Sequence, residues 1–79
     1  MLKAPWTKDQ VESLTHFQNN GMYHPFTHGD GADQVDLIAT EEGWVFELGG
    51  PVVQDWCHEF MADWSWNVMS RSTWKRKFG

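Results

Sequence analysis

The 79-residue chain is one domain at most, and a domain of this size needs dense packing, a metal, a disulfide or a partner to be stable. Its one cysteine, Cys57, excludes an intramolecular disulfide, and no apolar run approaches the ~20 residues that cross a bilayer. The net charge of −5 hides an asymmetry: residues 1–70 carry eleven acidic against two basic residues, a net −9, while the last nine residues carry four bases. An acidic body is repelled by nucleic-acid phosphates and steered toward basic surfaces. Aromatic residues make up 15% of the chain, six of them Trp, and each buried one removes about 150–250 Å² from water. Packed aromatics are therefore the expected substitute for a covalent or metal staple.

The first element is a helix. Thr7-Lys8-Asp9-Gln10 has the form of a capping box, and Val11, Leu14 and Phe17 follow at three-residue spacing. Trp6 precedes the cap as a staple, and Asn19-Asn20-Gly21 supplies left-handed residues to stop the helix. The stretch from Met22 to Gln34 reads as a loop, with Pro25 disfavouring helix at His24 and Gly29-Asp30-Gly31 as turn chemistry.

Two strands follow, Val35 to Thr40 and Trp44 to Leu48, joined as a hairpin by Glu41-Glu42-Gly43 with Gly43 placed for positive φ. Alternation puts Trp44, Phe46 and Leu48 on one face. The last element reads as a second helix from about Gln54 to Met69. Trp56, Phe60 and Trp64 recur at four-residue spacing, widened by Met61 and Val68, with Asp55 and Glu59 near its positive end. Residues 71–79 form a basic aromatic tail. The expected fold is α+β: a small α-β-β-α domain over 1–79, with an antiparallel hairpin packed against two helices.

Candidate chemistry is thin. His24, His28, Cys57 and His58 are the residues that could ligate a metal, but no two lie at tight knuckle spacing, and His24 and His28 are separated by a proline loop. Neither a metal nor another cofactor is expected. Asp30, Asp33 and Asp36 recur every third residue and miss the alternate spacing of a calcium loop, so they read as a solvated acidic turn. On a helix, adjacent Cys57 and His58 would diverge by about 100° and could not share a nucleophile–base hydrogen bond. The chain reads as a binding module and not as an enzyme.

Four blocks carry a family resemblance: Trp6-Thr7-Lys8-Asp9-Gln10-Val11, His24-Pro25-Phe26-Thr27-His28-Gly29, Leu37 to Trp44, and Gln54 to Met61 (QDWCHEFM). In this order they resemble small zinc-ribbon-like proteins of bacteriophages and prophages, a family of uncharacterised role patterned W-T-x-x-Q-V, H-P-F-T-C-G, L-x-A-T-x-x-G-W-x-C-x-x-C and Q-D-W-x-H-x-F-M. The departures fall on the metal ligands. The family's first cysteine corresponds to His28 here, and its C-x-x-C pair to Phe46 and Gly49. The resemblance implies a degenerate ribbon that has lost its zinc, with Phe46 packed inward beside Trp44 and Trp56.

The functional expectation is a small acidic phage-encoded protein, in the cytoplasm of a bacterial host, that inhibits or modulates a host complex. A CRISPR–Cas effector and the transcription machinery are examples of such a target. Its contacts would be the carboxylates Asp30, Asp33, Asp36, Glu41 and Glu42, anchored by Trp66 and Trp74. Two alternatives stand beside it. One is a nucleic-acid-binding accessory module that uses Arg71, Lys75, Arg76 and Lys77 of the tail. The other is a structural, self-associating phage protein. A monomer or homodimer is expected, with no membrane partner.

Overall fold

The computed structural model describes residues 1–21, 23–29 and 31–68, with only the backbone for Ser65 and Val68. The fold is α+β. In chain order it contains β1 (Leu2–Lys3), α1 (Lys8–Gln18), β2 (Thr27–His28), a 3₁₀ turn (Gly31–Asp33), β3 (Val35–Asp36), β4 (Ile38–Thr40), β5 (Gly43–Val45), β6 (Trp56–Cys57), α2 (Glu59–Ala62) and α3 (Ser65–Val68). The strands form three antiparallel ribbons, β1 with β6, β2 with β3 and β4 with β5. Helix α1 packs on both α2 and β4.

Helix α1 starts as its sequence dictates. The Gln10 amide donates to Thr7 Oγ1 at 3.2 Å, and the Thr7 amide donates to Gln10 Oε1 at 2.8 Å, so two otherwise unpaired helix-start donors are satisfied. The left-handed stop is Gly21, at φ +75°. Past the helix, the Gln18 side chain holds the loop that follows. Its amide nitrogen donates to the Phe26 and Leu37 carbonyls, both at 2.8 Å, and its oxygen accepts from the Phe26 amide at 2.8 Å.

The expected hairpin is present, but shorter. Ile38 pairs with Val45, Ala39 with Trp44 and Thr40 with Gly43, leaving Glu41 and Glu42 as the loop. Neither glutamate takes positive φ; Gly43 absorbs the twist at φ +140°. The first predicted strand is split into β3 and β4 at Leu37. The Leu37 amide donates to Phe26 at 3.1 Å, which ties it to the incoming loop. The second strand stops at Val45, because Phe46 to Gly49 closes a turn through the Gly49 amide and the Phe46 carbonyl at 2.8 Å. Leu48 therefore does not share the inner face with Trp44: it is fully exposed.

The largest correction concerns Gln54 to Met69. The described part is not one helix but β6, α2 and α3. The Gln54 carbonyl accepts from the Trp44 amide at 2.8 Å, and the Asp55 carbonyl from the Ala4 amide at 2.8 Å. Trp56 and Cys57 pair with Lys3 and Leu2. With these backbone groups committed to distant strands, the first predicted turn of helix cannot close. The chain breaks again at Trp64, whose φ of +68° is left-handed for a bulky residue.

Two residues organise the core. Trp44 is fully buried, with its indole nitrogen donating to the Trp56 carbonyl at 2.8 Å and its ring against Trp6 (5.7 Å, edge-on) and Phe26 (4.8 Å, stacked). Ser13, the buried polar residue on α1, donates to the Met61 carbonyl at 2.6 Å. It also accepts from the Trp64 amide at 3.2 Å and the Trp66 indole at 3.1 Å. One donor and two acceptor sites are the full capacity of a hydroxyl.

Ser13→Ala strips a partner from three groups at once, and a loss of about 2–4 kcal/mol in urea unfolding is expected. Gly43→Ala places a Cβ 2.7 Å from Val52 Cγ1 and 2.8 Å from the Gln54 carbonyl oxygen, at a φ that disfavours side chains. A loss of at least about 2 kcal/mol is expected in the same assay.

Candidate binding surface

All ten described carboxylate residues are exposed. Against them the described residues offer two lysines, Lys3 and Lys8, for a net of −8 before the termini are counted. Of the residues read from the sequence as contacts, Asp33 closes the 3₁₀ turn, Asp36 lies on β3, and Glu41 and Glu42 form the tip of the β4–β5 hairpin. The backbone holds that tip in place, because the Glu41 carbonyl accepts from the Trp6 amide at 2.8 Å. Its two side chains are free to reach outward without loosening the fold. Asp30, Trp74 and the tail bases Arg71, Lys75, Arg76 and Lys77 lie outside the described residues.

Trp66 is a correction. Read as an exposed anchor, it is buried, hydrogen-bonded to Ser13 and edge-on to Phe17 at 5.5 Å. The exposed tryptophan among the described residues is Trp64, whose ring lies 5.1 Å from His16 and stacks on Trp66 at 5.7 Å. Its four-residue spacing from Phe60 predicts an inward position for Trp64, and the break in the helix turns it out.

Sequence reasoning also missed two clefts. One, of about 170 Å³, lies between the end of α1 and the β4–β5 segment, and its lining includes Asp36, Ile38 and Glu47. The other, of about 280 Å³, lies between the His24–Phe26 segment and α2. The signal for the second was present in the two blocks His24-Pro25-Phe26 and His58-Glu59-Phe60. Their meeting in space depends on the fold.

The four candidate metal ligands do not gather at one point. Among the described residues no three His, Cys, Asp or Glu side chains gather as a metal site. His28, on β2, stands against Phe46 at 5.7 Å. His24 and His58 border the larger cleft, and Cys57 is turned into the core. Phe46 and Gly49 carry no side-chain donor, and the His28 imidazole beside Phe46 is not part of any three-ligand group among the described residues. Phe46 is only half-buried, packed at the edge of the core beside His28, and does not reach the fully inward position expected of it.

Cys57 and His58 do not act together, since one faces the core and the other solvent. Burial pushes the Cys57 thiol up to about 11, the nearby Glu59 carboxylate adds to this, and the N-terminal ammonium opposes it. The thiol is protonated at neutral pH and poorly nucleophilic.

No family model, no curated protein and no solved structure matches this chain. Its function has to be read from its own residues.

Because the folded thiol titrates above its ordinary value of 9.0, its contribution to stability is present below pH 9 and lost as pH rises toward 11. Cys57→Ala is expected to remove that component of the alkaline loss of stability. In the native wild-type protein, iodoacetamide at pH 8 is expected to react at least about a hundredfold more slowly with Cys57 than in urea.

Proposed function

We propose that this chain is a small acidic phage-encoded binding protein that inhibits or modulates a host complex by occupying a basic, nucleic-acid-binding surface. A CRISPR–Cas effector or the transcription machinery would be a target of the right kind. On this reading its frame descends from a zinc ribbon that exchanged metal ligands for aromatic packing, and it works in the host cytoplasm by contact, without catalysis. The observation that carries it is that all ten described carboxylate residues are exposed around an aromatic core, with only two described lysines to neutralise them. A surface of this kind imitates the charge of a nucleic-acid backbone and associates quickly with basic grooves. The hairpin tip supports the same reading, since Glu41 and Glu42 project from a backbone fixed to Trp6.

The test is affinity capture from a bacterial host lysate, followed by titration of the purified complex against salt and nucleic acid. A basic host complex is expected to be recovered, to bind several-fold more weakly between about 0.05 and 0.5 M salt, and to lose nucleic acid competitively. Glu41→Lys with Glu42→Lys is expected to weaken it at least about tenfold, mainly through a slower on-rate. Binding indifferent to salt and to this reversal would sink the proposal. Capture of nucleic acid alone would favour the tail, and capture of the chain's own second copy would favour self-association.

A further inference from the structure

The larger cleft has the build of a side-chain receptor. Phe17 and Met61 are buried at its base, and Phe26 and Phe60, both half-buried, line it above. Phe60 meets Phe17 edge-on at 5.8 Å, and the His58 ring stacks on Phe60 at 6.0 Å while standing edge-on to Phe26 at 6.0 Å. His24 borders the opening, exposed, with Nδ1 2.8 Å from the Pro25 carbonyl oxygen. A carbonyl only accepts, so this nitrogen carries the proton, and in the neutral ring Nε2 is left as an acceptor. At about 280 Å³ the cleft falls just below the range of ~300–1,000 Å³ typical of small-molecule pockets. It suits one long side chain better than a whole cofactor.

We infer that this cleft receives an arginine side chain of the partner, a step that rests on the basic partner surface proposed above. Three features select arginine. Aromatic faces attract a cation, and a planar guanidinium stacks on them where a strongly hydrated ammonium does not. The surrounding body is acidic by eight charges among the described residues, which favours a cationic occupant over a purely apolar one. An acceptor at His24 Nε2, on a residue that lines the cleft, suits one of the five guanidinium donors. The cleft thus supplies orientation where the exposed carboxylates supply attraction: they act at a distance and tolerate either base, while the ring-lined cleft discriminates between them.

The experiment uses the full chain, ¹⁵N-labelled, titrated with acetyl-Gly-Arg-Gly-amide and its citrulline, lysine and leucine counterparts. Amide shifts centred on His24, Phe26, His58 and Phe60 are expected. The arginine peptide should bind at least about tenfold more tightly than citrulline and several-fold more tightly than lysine. Phe60→Leu, which keeps an apolar side chain but no ring, is expected to abolish the preference for arginine. His24→Ala, at an exposed position, is expected to weaken the arginine peptide a few-fold with no change in the unfolding midpoint. Equal binding of arginine and citrulline, tighter binding of leucine, or absence of shifts at the cleft overturns the inference. A captured basic complex that binds His24→Ala and Phe60→Leu as tightly as wild type also overturns it, and leaves the proposed function standing. If the arginine peptide binds as expected but no basic partner is captured, the cleft is supported and the wider reading fails.

Discussion

The Ser13 hydroxyl is the interaction on which the C-terminal half of the fold depends. It sits in the middle of α1, donates to Met61 and accepts from Trp64 and Trp66, so one oxygen ties α1 to the end of α2, to the break and to α3. Inside a core every backbone polar group must find a partner, and a break between two four-residue helices leaves several unpaired. Ser13 meets two of those backbone groups and one indole. Once that is settled the rest follows. Trp66 is drawn into the core against Phe17, Trp64 is left outside beside His16, and Met61 is set at the base of the larger cleft.

Trp44 plays the matching part in the other half. Its backbone bonds to Val53 and Gln54 add the returning segment alongside β5, and its indole reaches the Trp56 carbonyl. A chain of this length without a disulfide needs some such concentration of contacts. Stacked and edge-on rings running from Trp6 through Trp44 and Phe26 to Trp56 provide it. Contacts between these rings fix the approach of the loops that carry them. Acidic exposure, hairpin tip and aromatic cleft then form one proposed mode of action, in which charge brings a basic partner in and the cleft reads it.

Local features were legible in advance. The capping box at Thr7 and Gln10, the stop at Gly21 and the hairpin turning at Gly43 each involve residues within four positions of one another, so spacing alone identifies them. The misreading of Gln54 to Met69 has an equally definite cause. Trp56, Phe60 and Trp64 do repeat every four residues, and a period of four is a helical signal. The backbone of Gln54 and Asp55 is claimed by Trp44 and Ala4, ten and fifty-one residues away, and no spacing within the segment announces that. The exposed acidic residues were legible as a composition, the aromatic cleft was not, and Trp64 and Trp66 exchanged their expected places.

The sequence by itself determined a small α+β fold, its first helix with both ends, the hairpin turn at Gly43, an acidic body and an aromatic core without an intramolecular disulfide. These depend on local conformational preference and on composition. Tertiary structure decided which tryptophans face solvent, that the second helix breaks, that His28 and Cys57 stand apart from His24 and His58, and that two histidine- and phenylalanine-bearing segments meet in a cleft. Those outcomes depend on hydrogen-bond partners supplied from far along the chain, which no local pattern encodes.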